Sequence, residues 1–224
     1  MIDVNQTVAS LVLDHSETAE VFQRNRIDFC CRGNLTIEAA ALEKTVSLDR
    51  LVEQLTVAMA TRAGVATNDP RSLSTSALIT HIVDKHHAYL RKALPFVQQL
   101  ASKVGRVHGD HNPKLRELHI AVDALTDALM PHLDEEEQVL FPMLTSATPD
   151  KESAARHLAS MQSEHLEVAA LLERVRSQAD DFSLPTWACN SYRALFAELL
   201  EVEHDIFAHV HLENHVLRPR FMTE

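Results

Sequence analysis

Two stretches far apart in the chain, HLDEEEQVLFP (132–142) and HVHLENHVLRP (209–219), share the pattern H-x-x-x-E-x-x-V-L-x-P. A further histidine precedes each copy at nearly the same distance, His87 by 45 residues and His165 by 44. Residues four apart on a helix lie one turn apart on one face, so each copy aims an imidazole and a carboxylate the same way. One such pair is weak evidence, because surface pairs of this kind are common. Two pairs in register, with a repeated flank, define two copies of a helical hairpin that each supply His, His and Glu.

Apolar periodicity sets these residues inside a core. Alternating three- and four-residue spacing predicts four seams. The first holds Val83, His87, Leu90, Leu94 and Val97, and the second Leu118, Val122, Leu125, Leu129, His132, Glu136, Val139 and Met143. The third holds Leu158, Met161, His165, Val168, Leu172 and Val175, and the fourth Leu195, Leu199, Val202, Ile206, His209, Glu213 and Val216. Helices are expected near 73–105, 113–145, 150–179 and 186–217, divided by GRVHGDHNP, TSATPDK and DDFSLP. Asn112 is the expected cap of the second, with Pro113 at its first position. Four helices joined by short loops make an up-down-up-down bundle. The whole chain has only 4 glycines, which favours an all-α fold with few breaks over a turn-rich β fold.

Each seam is interrupted by polar residues at one place. A buried carboxylate without a partner costs on the order of several kcal/mol, a cost that a metal ion removes. Six ligands are too many for one tetrahedral zinc and suit two metals bridged by two carboxylates. Imidazole with carboxylate and no thiolate is the donor set of non-haem iron or, less often, manganese. Bundle cores are where di-iron carboxylate sites are built. The candidate ligands are His87, His132, Glu136, His165, His209 and Glu213.

Neighbouring residues leave alternatives. His86 could face inward with Ile79, Ile82 and Phe96, but seam and repeat favour His87. His211 and His215 fall off the seam of their helix and are expected on a solvated face. Asp134, Glu135 and Glu137 are expected as exposed charge, with room for one of them behind the ligands. Glu164, beside His165, is a candidate for such a supporting role or for proton relay. Pro131, immediately before a ligand, is expected to kink its helix.

Ahead of the bundle (73–224), residues 1–62 hold short amphipathic runs around DFCCRGN, and AGVATNDPRS (63–72) reads as a linker. The first 20 residues lack the basic and apolar segments of a signal peptide. No stretch of about 18 apolar residues predicts a transmembrane helix. A formal charge of −11 disfavours nucleic acid and anionic membranes as partners. Of three cysteines, Cys30 and Cys31 are adjacent and rarely bridge without strain, so a disulfide framework is not expected and a reducing cytoplasm is. Beside Arg32, this pair is a candidate for reactive or iron-binding thiols of lowered pKa. The alternative is two small buried apolar residues. Cys189 is expected in core packing.

The DFCC motif, THIVDKHHAYLRKALP, HLDEEEQVLFPM, MQSEH and HVHLENHVLRP, in this order and spacing, resemble the RIC family of iron–sulfur cluster repair di-iron proteins. The resemblance covers nearly the whole chain. It implies a hemerythrin-like bundle with a small helical N-terminal domain. It also implies two non-haem irons on the same six residues, bridged by Glu136 and Glu213 and by an oxo or hydroxo group. Its implied setting is the cytoplasm under nitrosative or oxidative stress, with damaged iron–sulfur proteins as clients, nitric oxide or dioxygen as small ligands, and a monomer or homodimer. The chain departs from the pattern at Arg32, which precedes the glycine that usually follows the cysteines, and at Arg218, where phenylalanine is common.

Three functions follow. The first is repair, with the irons as a labile store and Cys30 and Cys31 docking on the client or receiving iron for it. The second is binding and reduction of nitric oxide at the di-iron centre, which would make the protein an enzyme or a scavenger. The third is a dioxygen or nitric oxide carrier or sensor, for which a paired thiol has no use.

Overall fold

The computed structural model describes residues 2–61, 69–148 and 150–222. The expected linker therefore lies, through Asn68, outside the described residues. The chain divides into two compact units, Met1–Ser74 with Val210–Glu224, and Thr75–His209. Among the described residues there is no strand ladder, only an isolated bridge between Thr7 and Thr36. Nor is any helix there long and apolar enough to cross a membrane.

The first unit contains α1 (Val8–Asp14), α2 (Ala19–Arg24), α3 (Ile37–Glu43) and α4 (Leu48–Thr61). Threonine hydroxyls start two of them: Thr7 accepts from the N–H of Ser10, and Thr36 from that of Ala39. Val8, Leu11, Phe22, Phe29, Ile37, Leu51 and Leu55 form its core. The loop between α2 and α3 carries Cys30 and Cys31.

The second unit is built from α5 (Thr75–His81), α6 (Ala88–His108), α7 (Lys114–Glu135), α8 (Phe141–Thr145), α9 (Lys151–Gln178) and most of α10 (Asn190–Leu212). The helix ends fall near the expected breaks, although α6 runs on to His108, into the first of them, and α10 starts only at Asn190. Asn112 accepts from the N–H of Lys114, and Asp150 from those of Glu152 and Ser153. α7 packs on both α6 and α9.

Three π-helical turns interrupt the helices, at Ile82–His87, Glu136–Leu140 and Glu213–Leu217. The first ends on a candidate ligand and the other two begin on one. Each inserts a residue into the helical count and so rotates the buried face. Pro142 and Pro219 follow the latter two turns; without an N–H, proline cannot close the α-type bond four residues back.

This rotation corrects two seams. Beyond Glu136 the buried residues are Leu140, Phe141 and Leu144, while the expected Val139 is 41% exposed. Met143 is half-buried. Before His87 the core residue is Ile82, and the expected Val83 is half-buried. The third and fourth seams are buried throughout, as expected.

Candidate metal centre

The site is assembled from four helices at one level of the second unit. His87 closes the first π turn, His132 stands in the last turn of α7, Glu136 opens the next π turn, His165 lies in α9 and His209 in α10. All five are buried, from fully for His87 and His209 to 4% exposed for His132. Donor atoms of His87, Glu136 and His209 lie within 4.8 Å of one another, as do those of His132, Glu136 and His165. Glu213 stands one turn beyond His209 along the helix that continues α10 and is 5% exposed.

Glu136 is the hinge of this arrangement. Its Oε2 lies 3.3 Å from His87 Nε2 and 3.8 Å from His209 Nε2, and its Oε1 lies 3.6 Å from His132 Nε2. One carboxylate thus turns its two oxygens to two different sets of imidazoles. His87 and His209 face each other with Nε2 atoms 3.1 Å apart, and the His132 and His165 rings sit edge to face at 5.0 Å.

The far ring nitrogens are held from behind. His87 Nδ1 donates to Glu137 Oε1 at 2.9 Å, and His132 Nδ1 donates to Glu164 Oε2 at 2.8 Å. A carboxylate can only accept here, so both Nδ1 atoms carry protons. With Nδ1 held from behind, the Nε2 atoms of both rings are turned toward the oxygens of Glu136, an arrangement in which they can share a metal ion. The donor chemistry therefore fits a metal: imidazole nitrogens and carboxylate oxygens, buried and convergent.

Glu137 is not simply exposed charge. Burial alone would raise its carboxyl, but the hydrogen bonds from His87 and Arg91 hold it below the usual carboxylate range. Arg91 in turn joins Glu137 at 3.0 Å to Asp134 at 2.7 Å. Glu164 takes the supporting place that was open to it. His86 is buried as well as His87, because the π turn brings both inward, but it pairs with Asp205 at 2.8 Å.

His211 and His215 overturn the expectation of a solvated face. Within the first unit, His211 Nδ1 donates to the carbonyl of Phe29 at 3.2 Å, and His215 Nε2 to that of Cys30 at 2.7 Å. His211 is only 4% exposed. The signal was present in the repeat: where the first copy has Asp134, Glu137 and Gln138, the second has His211, Asn214 and His215.

The thiols also differ from expectation. Burial, the hydrogen bond with Cys31 and the nearby Asp28 push the Cys30 thiol well up rather than down. Arg32 is directed to Glu43, in a two-pronged ion pair. Cys189 is exposed, 3.2 Å from His108 Nε2, and is not core packing.

Fold and site together define a hemerythrin-like, cation-binding bundle. Residues 78–221 match the hemerythrin HHE cation binding domain, and residues 4–59 match a domain of unknown function, DUF542. The iron–sulfur cluster repair protein YtfE of Yersinia pseudotuberculosis serotype IB is 32% identical over 216 residues, 96% of either chain. A probable iron–sulfur cluster repair protein of Haemophilus influenzae is 31% identical over 219 residues, 98% of this chain and 97% of its own. The chain belongs to this family, the RIC group of hemerythrin-like proteins.

Proposed function

We propose that this chain repairs iron–sulfur clusters damaged by nitric oxide or oxidants, holding two non-haem irons and supplying iron to the client. The observation that carries the reading is the split of the Glu136 carboxylate between two sets of buried imidazoles. In this reading Glu136 and Glu213 bridge, His87 and His209 serve one iron, and His132 and His165 serve the other. For Glu213 the support is its burial, its register with Glu136 in the repeat and its place one turn past His209. The repair function is supported by the names of the two relatives.

When bound, the irons supply a redox-active, exchangeable pair that is also the cargo. The chain's own residues do the rest. Glu137 and Glu164 fix the tautomers and orientations of His87 and His132. The apolar seams exclude water. Cys30 and Cys31, in a separate helical domain over 1–62 joined through 63–72 to a bundle over 73–224, meet the client. The setting is the cytoplasm.

The test begins with iron counted per chain after reconstitution with ferrous ion. The parent should hold two, and Glu136→Gln and Glu213→Gln well below two; full loading in both variants would remove the bridging assignment. The loaded protein is then mixed with a nitric-oxide-damaged cluster protein while client activity, iron transfer and nitrous oxide are followed. Iron reaching the client without nitrous oxide supports repair by donation. Catalytic nitrous oxide without iron transfer would replace it with nitric oxide reduction.

A further inference from the structure

Consecutive side chains on extended backbone point to opposite sides, yet the loop at 28–31 brings both cysteine sulfurs to the same side, 3.5 Å apart. Asp28 Oδ1 lies 3.1 Å from Cys30 Sγ, and donor atoms of Asp28, Cys30 and Cys31 all lie within 4.8 Å of one another. A tetrahedral ion with metal–sulfur bonds of about 2.3 Å and a metal–oxygen bond of about 2.0 Å spans edges of roughly 3.8 Å between sulfurs and roughly 3.5 Å from sulfur to oxygen. The sulfur–sulfur and the Asp28–Cys30 separations already lie within about 0.4 Å of these edges.

The backbone that sets them is tied down from several directions. Asp28 Oδ1 accepts from the N–H groups of Cys30 at 3.0 Å and Cys31 at 2.8 Å, which bends the chain at the pair. The Cys30 carbonyl accepts from His215 Nε2 and from Asn214 Nδ2 at 3.2 Å, and the Phe29 carbonyl from His211. Gly33 permits this approach, since a Cβ there would lie 2.3 Å from the Phe29 oxygen and 2.9 Å from His215 Nε2. Cys30 is 2% exposed, whereas Cys31 and Asp28 are half-buried and give the cluster an open side.

We infer that Asp28, Cys30 and Cys31 form a second metal site, binding one thiophilic divalent cation through two thiolates and a carboxylate. Its donors differ from those of the bundle, and thiolates select softer ions than imidazole and carboxylate do. As the cation enters, each thiol releases its proton to solvent, so M²⁺ and two S–H groups become one M(S)₂ unit and two protons. The half-buried side leaves room for a fourth ligand from solvent or from a client. The inference stands apart from the proposed iron store and does not need it.

Cobalt(II) is the probe, because thiolate coordination gives an intense near-ultraviolet charge-transfer band that histidine and carboxylate ligands do not. The titration uses the full chain carrying Cys189→Ser, which removes the exposed third thiol. One equivalent of cobalt should produce the band, and Cys31→Ser and Cys30→Ser should each abolish it. Asp28→Asn keeps an oxygen for the two loop N–H groups but loses the charge, so cobalt affinity should fall about tenfold or more. No band in the parent, a band surviving Cys31→Ser, or an unchanged affinity in Asp28→Asn would each overturn the site. Should Cys30→Ser fail to fold by circular dichroism, the two half-buried positions decide. The metal count at the histidines is read separately, so failure here leaves the bundle assignment untouched.

Discussion

Glu203 of α10 and Arg176 of α9 form a two-pronged, largely buried ion pair in the bundle. The guanidinium meets the carboxylate at both prongs, Nε to Oε1 at 2.8 Å and Nη2 to Oε2. The two side chains are 5% and 12% exposed, Glu203 being the more buried. Removing one partner of a buried pair strands the other and costs roughly 3–5 kcal/mol. Here Arg176 keeps a partial substitute in Asp181, 3.6 Å away but half in solvent, and it stacks over Phe182 at 4.9 Å. The cost of Glu203→Ala should therefore fall at the lower end, about 3 kcal/mol. With a urea slope of about 2 kcal/mol per M, the midpoint of the bundle transition should drop by about 1.5 M. Replacing both partners, as Arg176→Met with Glu203→Leu, should return stability to within about 1 kcal/mol of the parent, because the desolvation cost disappears with the charges. A Glu203→Ala midpoint within experimental error of the parent, at unchanged slope, would refute this reasoning.

Three further outcomes are expected. Glu137→Gln, which weakens the support behind His87, should lower metal affinity about tenfold to a hundredfold, measured as loss to a chelator; unchanged retention would show that the contact is idle. Burial, with His215 nearby, pushes the His211 imidazole down to about 3 from 6.5. The unfolded chain then takes up the proton first, so stability declines as pH falls from 6.5 toward 3, by up to roughly 1.4 kcal/mol per pH unit. Urea curves at two pH values should show a shallower decline for His211→Gln, and parallel declines would count against the buried neutral ring. Iodoacetamide followed by peptide mass analysis should label Cys189 first and Cys31 later, with Cys30 silent until the pH is strongly alkaline; early labelling of Cys30 would contradict its burial.

The bundle was legible because its signals are local and repeated. Apolar residues at helical spacing mark a buried face whatever they pack on, and two copies of one motif report each other. The seams failed only at, or just past, the places where the backbone left the α-helix. Val139 and Val83 fit a period of 3.6, but the π turns beside Glu136 and His87 insert a residue and hand the core to Leu140 and Ile82.

The His/Glu motif thus determined, by itself, which helix faces carry donors suited to a cation, since spacing of four along a helix is a property of one segment. Only the tertiary structure decided how the donors are shared and supported. The two oxygens of Glu136 part toward different imidazoles, Glu137 and Glu164 close behind two of the rings, and His211 and His215 serve the cysteine loop rather than solvent. Those facts depend on which segments meet across the fold, and a distance between residues far apart in the chain is not encoded in the pattern of either one.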